Sequence, residues 1–173
     1  AKVLAGGQRL KGPMAAPAGE EDRDAGQPAP IPVGTCRDPS ARWVVGADTV
    51  VVLAGDVLGK PKDVDGAFDM LQRLSGSEHT VVTGFCVFDL LKNKEGIQAV
   101  VSRVKMKGMS RPEIEKYLAV GESLDKAGSY AVQGVGSYLI DSITGSYSNV
   151  VGLPLCHLME MFEEMGADDI LPY

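Results

Sequence analysis

Apolar residues run almost without a break from position 43 to position 52, with one carboxylate, Asp48, in the middle. The run has the form of a strand buried on both faces. A carboxylate inside such a strand is costly unless a cation, a metal or several donors compensate it, so Asp48 is either paired or set where the strand opens into a site. A tight turn follows at Ala54, Gly55 and Asp56. Residues 63–75 then carry Val64, Ala67, Phe68, Leu71 and Leu74 at helical spacing, and Gly76 closes the helix. Two strands come next, residues 80–90 and 97–107, the second alternating Val100, Ser102 and Val104 against Val101, Arg103 and Lys105. They form a hairpin through residues 92–96. Ser110-Arg-Pro-Glu113 is a capping box that opens a helix to Val120, with Gly121 as its stop. Residues 137–143 read as a further strand. An amphipathic helix over 154–165 has Leu155, Leu158, Met159 and Phe162 on one face, its methionines serving as core filler.

The first 42 residues differ from the rest. Residues 1–5 have the form of a helix end, whereas residues 12–41 are rich in Pro, Ala, Gly and acids and hold six of the ten prolines. Such a tract buries little and reads as a mobile insertion. Two parts follow: residues 1–42, a residual helix and flexible insertion, and residues 43–173, an α/β domain. At 173 residues and 45 % hydrophobic content the chain supports one sizeable core.

Net charge is −6, with scattered Lys and Arg and few aromatics. That balance argues against nucleic acid or a membrane surface as a partner, while an anionic small molecule needs only a local group of cations. No apolar run reaches the length of a membrane span, and no secretory signal stands out. Cys36, Cys86 and Cys156 form no Cys-x-x-Cys pair, which suits free thiols in a reducing cytoplasm, with Cys86 and Cys156 as small core residues. With His79 and His157 alone to complement them, a zinc site is disfavoured, and adjacent Cys156 and His157 point to different helix faces.

Three segments carry chemistry. Asp48 can hold a divalent cation or take a proton from water. Gly59-Lys-Pro61 presents Lys60 from a stiff turn, where it is either a phosphate contact or a solvated lysine. In Asp125-Lys-Ala-Gly-Ser-Tyr-Ala-Val-Gln-Gly134, Gln133 offers the donors and acceptor that a pyrimidine edge needs. Lys126 is a candidate phosphate contact and Asp125 a candidate metal ligand, with a surface ion pair between the two as the alternative. Gly134-Val-Gly136 lacks the third glycine and the strand of a dinucleotide loop.

Taken in order, Gly46-Ala-Asp-Thr-Val-Val51, Gly59-Lys-Pro61, Leu74-Ser-Gly-Ser-Glu-His-Thr-Val-Val-Thr-Gly84, the Asp125 to Gly134 segment and Tyr147-Ser-Asn-Val-Val-Gly-Leu-Pro154 resemble the Maf family of nucleoside triphosphate pyrophosphatases. The resemblance implies an elongated mixed sheet flanked by helices, with a substrate cleft between two lobes. It makes Asp48 the proton acceptor in water attack on the α-phosphorus, assisted by Mg2+ or Mn2+. It makes Thr49, Lys60 and Gln133 substrate-binding, with Thr49 and Gln133 selecting the base. Strand alternation sets Thr49 on the face opposite Asp48, a tension left for the structure. His79, Thr83 and Asn149 belong to the shared motifs and read as structural.

The Ala-Asp-Thr form at 47–49 together with Gln133 resembles the branch acting on dTTP and UTP, with modified pyrimidine nucleotides as further candidates. The family also implies a homodimer. Its opening strand and Ser-x-Ser-Pro-Arg-Arg loop have no counterpart here; residues 1–5 resemble the helical segment that follows them, which makes Lys2 the phosphate-contacting lysine. The expectation is a family member that starts late. The competing expectation is a nucleotide-binding or interaction module with weak or no catalysis.

Overall fold

The computed structural model describes residues 41–167 and residue 170. Lys2, Cys36, the expected helix end at residues 1–5 and the Pro-rich tract up to residue 40 lie outside the described residues.

Strand β1, Trp43–Leu53, turns through Ala54 and Gly55, with φ of 52° and 92°, into the short β2, Asp56–Leu58. Two successive left-handed residues are what a tight hairpin turn needs to match strand twist. Helix α1, Val64–Leu74, follows, its first turn capped by the Asp63 carboxylate, which accepts from the Gly66 N–H at 2.8 Å. Strands β3, Glu78–Asp89, and β4, Lys94–Met106, form the expected long hairpin. Helix α2, Arg111–Leu118, opens with the expected capping box between Ser110 and Glu113. Two 3-10 turns, Ala127–Ser129 and Gly134–Leu139, lead into β5, Ile140–Thr144. Helix α3, Tyr147–Val151, and helix α4, Leu155–Met165, end the succession.

The sheet has order β2-β1-β3-β4-β5. It is an α/β fold, and among the described residues every strand pairing is antiparallel, rather than the mixture the resemblance implied. On β3, His79, Val81, Thr83, Phe85, Val87 and Asp89 are buried while the residues between them are not. This period of two means that helices cover one face only.

The expectation for residues 43–52 is therefore corrected. Only Val51 of β1 is buried, and Asp48 is exposed, on the open face opposite Gly84. Ile97 and Val101, on the same open face, are 69 % and 58 % exposed. β-Branched residues satisfy strand preference whether or not anything covers them, so a continuous apolar run did not distinguish one covered face from two.

Two separate hydrophobic clusters share the covered face. One joins Val51, Val81 and Val104 to Leu71, Leu74 and Tyr117. The other joins Phe85, Val87 and Val100 to Leu158, Met161 and Phe162 of α4. The buried stripe of α4 runs through Leu158, Met161, Phe162 and Met165; Leu155, expected in it, is 54 % exposed. Between the clusters the strands place Thr49, Thr83 and Ser102, and Asn149 of α3 lies against them. The Thr83 hydroxyl donates to the Asn149 carbonyl at 3.1 Å, and Asn149 Nδ2 donates to the Val81 carbonyl at 3.2 Å and to Ser102 Oγ at 2.9 Å. A polar waist thus divides the domain into two lobes.

Three elements departed from the sequence pattern. β2 and α3 are too short to show a period. The expected strand over 137–143 begins as the 3-10 turn Gly134–Leu139 and pairs with β4 only from Ile140 onward. Cys156, expected in the core, is exposed, and Cys86 is half-buried on the open face.

Candidate functional site

A cleft of about 670 Å³ opens beside the polar waist, lined by Asp48, Thr49, Lys60, Asp125, Lys126 and Tyr130 among others. That volume accommodates a ligand of nucleotide size. β2 covers β1 only at Val51, Val52 and Leu53, so among the described residues the rest of β1 is the margin of the sheet. The cleft wraps that margin. Asp48 and Thr49 leave opposite faces of the strand and still line one cavity, which resolves the tension raised by alternation. The Thr49 hydroxyl lies 2.9 Å from that of Thr83 and donates to the Gly152 carbonyl at 3.4 Å, so it is held by the waist.

Lys60 is exposed, on a turn anchored by buried Pro61. The Gly128 N–H donates to the Gly59 carbonyl at 3.1 Å, fastening this turn to the segment that carries Asp125 and Lys126. Lys126 Nζ donates to Asp125 Oδ1 at 2.7 Å. That bond, with a smaller contribution from the Lys60 charge, holds the Asp125 carboxyl below the usual range. Two lysines and two carboxylates therefore border one cleft.

Tyr130 forms part of the wall and is tied down from below. Its hydroxyl lies 2.7 Å from His79 Nε2, the rings meeting edge to face. Burial lowers the His79 pKa to about 4 and pushes the Tyr130 hydroxyl up. The imidazole is neutral near pH 7 and serves as a buried support, in keeping with its structural reading. Sequence reasoning gave Tyr130 no role. A pairing across 51 positions leaves no periodic signal.

Gln133 behaves differently. It is exposed at the head of the 3-10 turn Gly134–Leu139, and its neighbour Val132, not Gln133 itself, lines the cleft. Thus Asp48, Thr49 and Lys60 come together, Gln133 does not line the cleft, and Lys2 lies outside the described residues. Another groove, of about 710 Å³ between α1 and α2, holds none of the expected residues, and its Arg111 is engaged with Glu115 at 2.8 Å. The Cys156 thiol is raised by its hydrogen bond to Glu160, which leaves it a poor nucleophile.

Residues 18–165 match the family model described as Maf-like protein. The chain belongs to the Maf family. This Maf chain is 48 % identical over 126 residues to a dTTP/UTP pyrophosphatase of Syntrophotalea carbinolica, the match covering 73 % of the chain and 57 % of that protein. It is 47 % identical over 137 residues to a protein of the same name from Geobacter sulfurreducens, covering 78 % and 71 %. With the Clostridioides difficile protein of that name it shares 50 % identity over 121 residues, covering 70 % and 62 %. The Maf chain thus matches between 57 % and 71 % of the length of these relatives.

No group of three or more His, Cys, Asp or Glu side chains able to hold a metal occurs among the described residues. Asp48 and Asp125 are the carboxylates in the cleft wall. This donor set fits Mg2+ or Mn2+ shared with a ligand, since Mg2+ keeps several waters and binds through one or two carboxylates plus substrate phosphates. No described helix is long and apolar enough to cross a membrane.

Proposed function

We propose that the chain hydrolyses UTP and dTTP to the monophosphate and pyrophosphate. The names of its relatives support the substrate class, and the observation that carries the reading is the meeting of Asp48, Lys60, Asp125 and Lys126 in one cleft of nucleotide size. In this reading water attacks the α-phosphorus, the bond from that phosphorus to the bridging oxygen breaks, and pyrophosphate leaves with that oxygen. Asp48 accepts the proton of the water. Lys60 and Lys126 neutralise phosphate charge as flexible point charges, and Asp125 orients Lys126 through their ion pair. Asp48 and Asp125 would hold Mg2+ or Mn2+ together with the substrate, and the bound cation would supply Lewis acidity at the phosphates. Thr49, held by Thr83, and Gln133, next in sequence to the cleft-lining Val132, select the base, and Lys2 contacts the phosphates. The protein works in the cytoplasm.

The test supplies the full chain with UTP, dTTP, CTP and GTP and either metal, and separates the products. Monophosphate and pyrophosphate from UTP and dTTP in preference to the others are expected. Release of orthophosphate, or equal turnover of all four, refutes the proposal. Pyrimidine-selective binding without turnover refutes the proposed hydrolysis and leaves a nucleotide-binding module in its place.

A further inference from the structure

Gln133 projects from a short segment held on both sides by groups outside it. The Ala131 N–H donates to the Tyr117 hydroxyl at 3.0 Å. On the far side of Gln133, the Gly136 N–H donates to Glu122 Oε1 at 2.6 Å. The backbone on both sides of Gln133 is therefore held by side chains outside the segment, by Tyr117 at Ala131 and by Glu122 at Gly136. Tyr117 is buried, and burial together with the neighbouring Glu122 pushes its hydroxyl up to about 12, so it remains a donor at neutral pH.

The glycines of the segment fit the same purpose. Gly134 has φ of +69°, and a Cβ there would lie 2.9 Å from Glu122 Oε2. A Cβ at Gly136 would meet the Ala131 carbonyl and lie 2.7 Å from the Tyr117 hydroxyl. A side chain at Gly134 would displace the Glu122 carboxylate, and one at Gly136 would displace the Ala131 carbonyl and the Tyr117 hydroxyl.

We propose that Glu122, together with Tyr117, is a positioning residue for base selection: the two fix the segment from Ala131 to Gly136, and so the place of Gln133, without touching the nucleotide. The inference rests on the reading of Gln133 given above. A base-reading amide discriminates only when its place is set beforehand, because a mobile amide adapts to whichever base arrives.

The test uses the full chain and its Glu122→Ala, Glu122→Gln, Tyr117→Phe and Gln133→Ala variants. Two readouts are taken: hydrogen exchange at the Ala131 and Gly136 amides, and dissociation constants for UMP, CMP and GMP, which bind without turnover. Glu122→Ala should lose protection at Gly136 and lower the preference for UMP over GMP about fivefold to tenfold, the value of one ordered hydrogen bond. Glu122→Gln keeps an acceptor for the Gly136 N–H and should retain most of the preference. Tyr117→Phe keeps the packed ring, removes the hydroxyl, and should lower the preference by a smaller factor, which serves if Glu122→Ala does not fold. An unchanged preference in Glu122→Ala and Tyr117→Phe, or an equal loss for all three nucleotides, overturns the inference while leaving the role of Gln133 standing. A wild-type chain that binds the three alike, or a Gln133→Ala variant with undiminished preference, refutes the reading of Gln133 and this inference with it.

Discussion

Replacing Asn149 by Ala cuts the centre of the polar waist. Asn149 is fully buried, and its Nδ2 gives one hydrogen bond to the Val81 carbonyl and one to Ser102 Oγ. Each such bond is worth about 0.5 to 1.5 kcal/mol net, and an acceptor left dry adds about 1 to 3 kcal/mol. An offset exists, because Asn149 Oδ1 is itself buried with no hydrogen-bond partner among the described residues, and its removal recovers part of that cost. The expected loss is about 2 to 3 kcal/mol, or roughly 4 to 12 °C in Tm at this chain length. Thr83→Val removes the donor to the Asn149 carbonyl and the partner of the Thr49 hydroxyl, and should lose about 1 to 2 kcal/mol. Urea unfolding followed by circular dichroism checks both, with the midpoint falling and the slope m unchanged. A loss below about 0.5 kcal/mol for Asn149→Ala would mean that the waist holds the lobes by shape alone, and the hydrogen-bond reasoning would be wrong.

Asp48→Asn should lower turnover by on the order of a hundredfold to ten-thousandfold. Its exposure limits the stability change to within about 0.5 kcal/mol, in place of the gain that a buried carboxylate would have implied; thermal melts and product release, measured together, decide this. Lys60→Met should raise KM for UTP by about tenfold with little change in Tm, because the side chain is exposed; an unchanged KM in initial-rate assays would return Lys60 to a solvated turn. His79 has a folded pKa of about 4 against 6.5 unfolded, so the unfolded chain binds more protons between these values. Its contribution to stability is complete above about pH 6.5 and is lost as pH falls toward 4, with a slope of up to about 1.4 kcal/mol per pH unit. Urea titrations across that window should show the slope in the wild type and its reduction in His79→Gln.

Most of the helices and the long hairpin were legible because each carries its own punctuation. Asp63 and the Ser110 to Glu113 box mark where α1 and α2 begin, and the alternation of Val100, Ser102 and Val104 reports a one-sided β4. β1 was legible as a strand but not in its environment, since burial belongs to the neighbours a strand acquires. Asp48, Thr49 and Lys60 were legible as site candidates through their motifs, whereas the His79 to Tyr130 support and the hold of Tyr117 and Glu122 on the Gln133 segment were not. Both depend on contacts between residues far apart in the chain, and a buried histidine beneath a tyrosine has no local pattern of its own.

The waist has a further consequence for how the chain tolerates change. The two hydrophobic clusters share no residue, and what joins them across the covered face is a set of directional bonds among Thr83, Asn149 and Ser102 rather than interdigitated hydrocarbon. Substitutions without shared partners act independently. Leu71→Ala and Phe162→Ala, one in each cluster, should therefore add in their effects on stability, and a slack made in one half stops before reaching the other. Side chains can therefore be exchanged in one half without a matching change in the other, while the polar seam between them ties both to the strands that border the cleft.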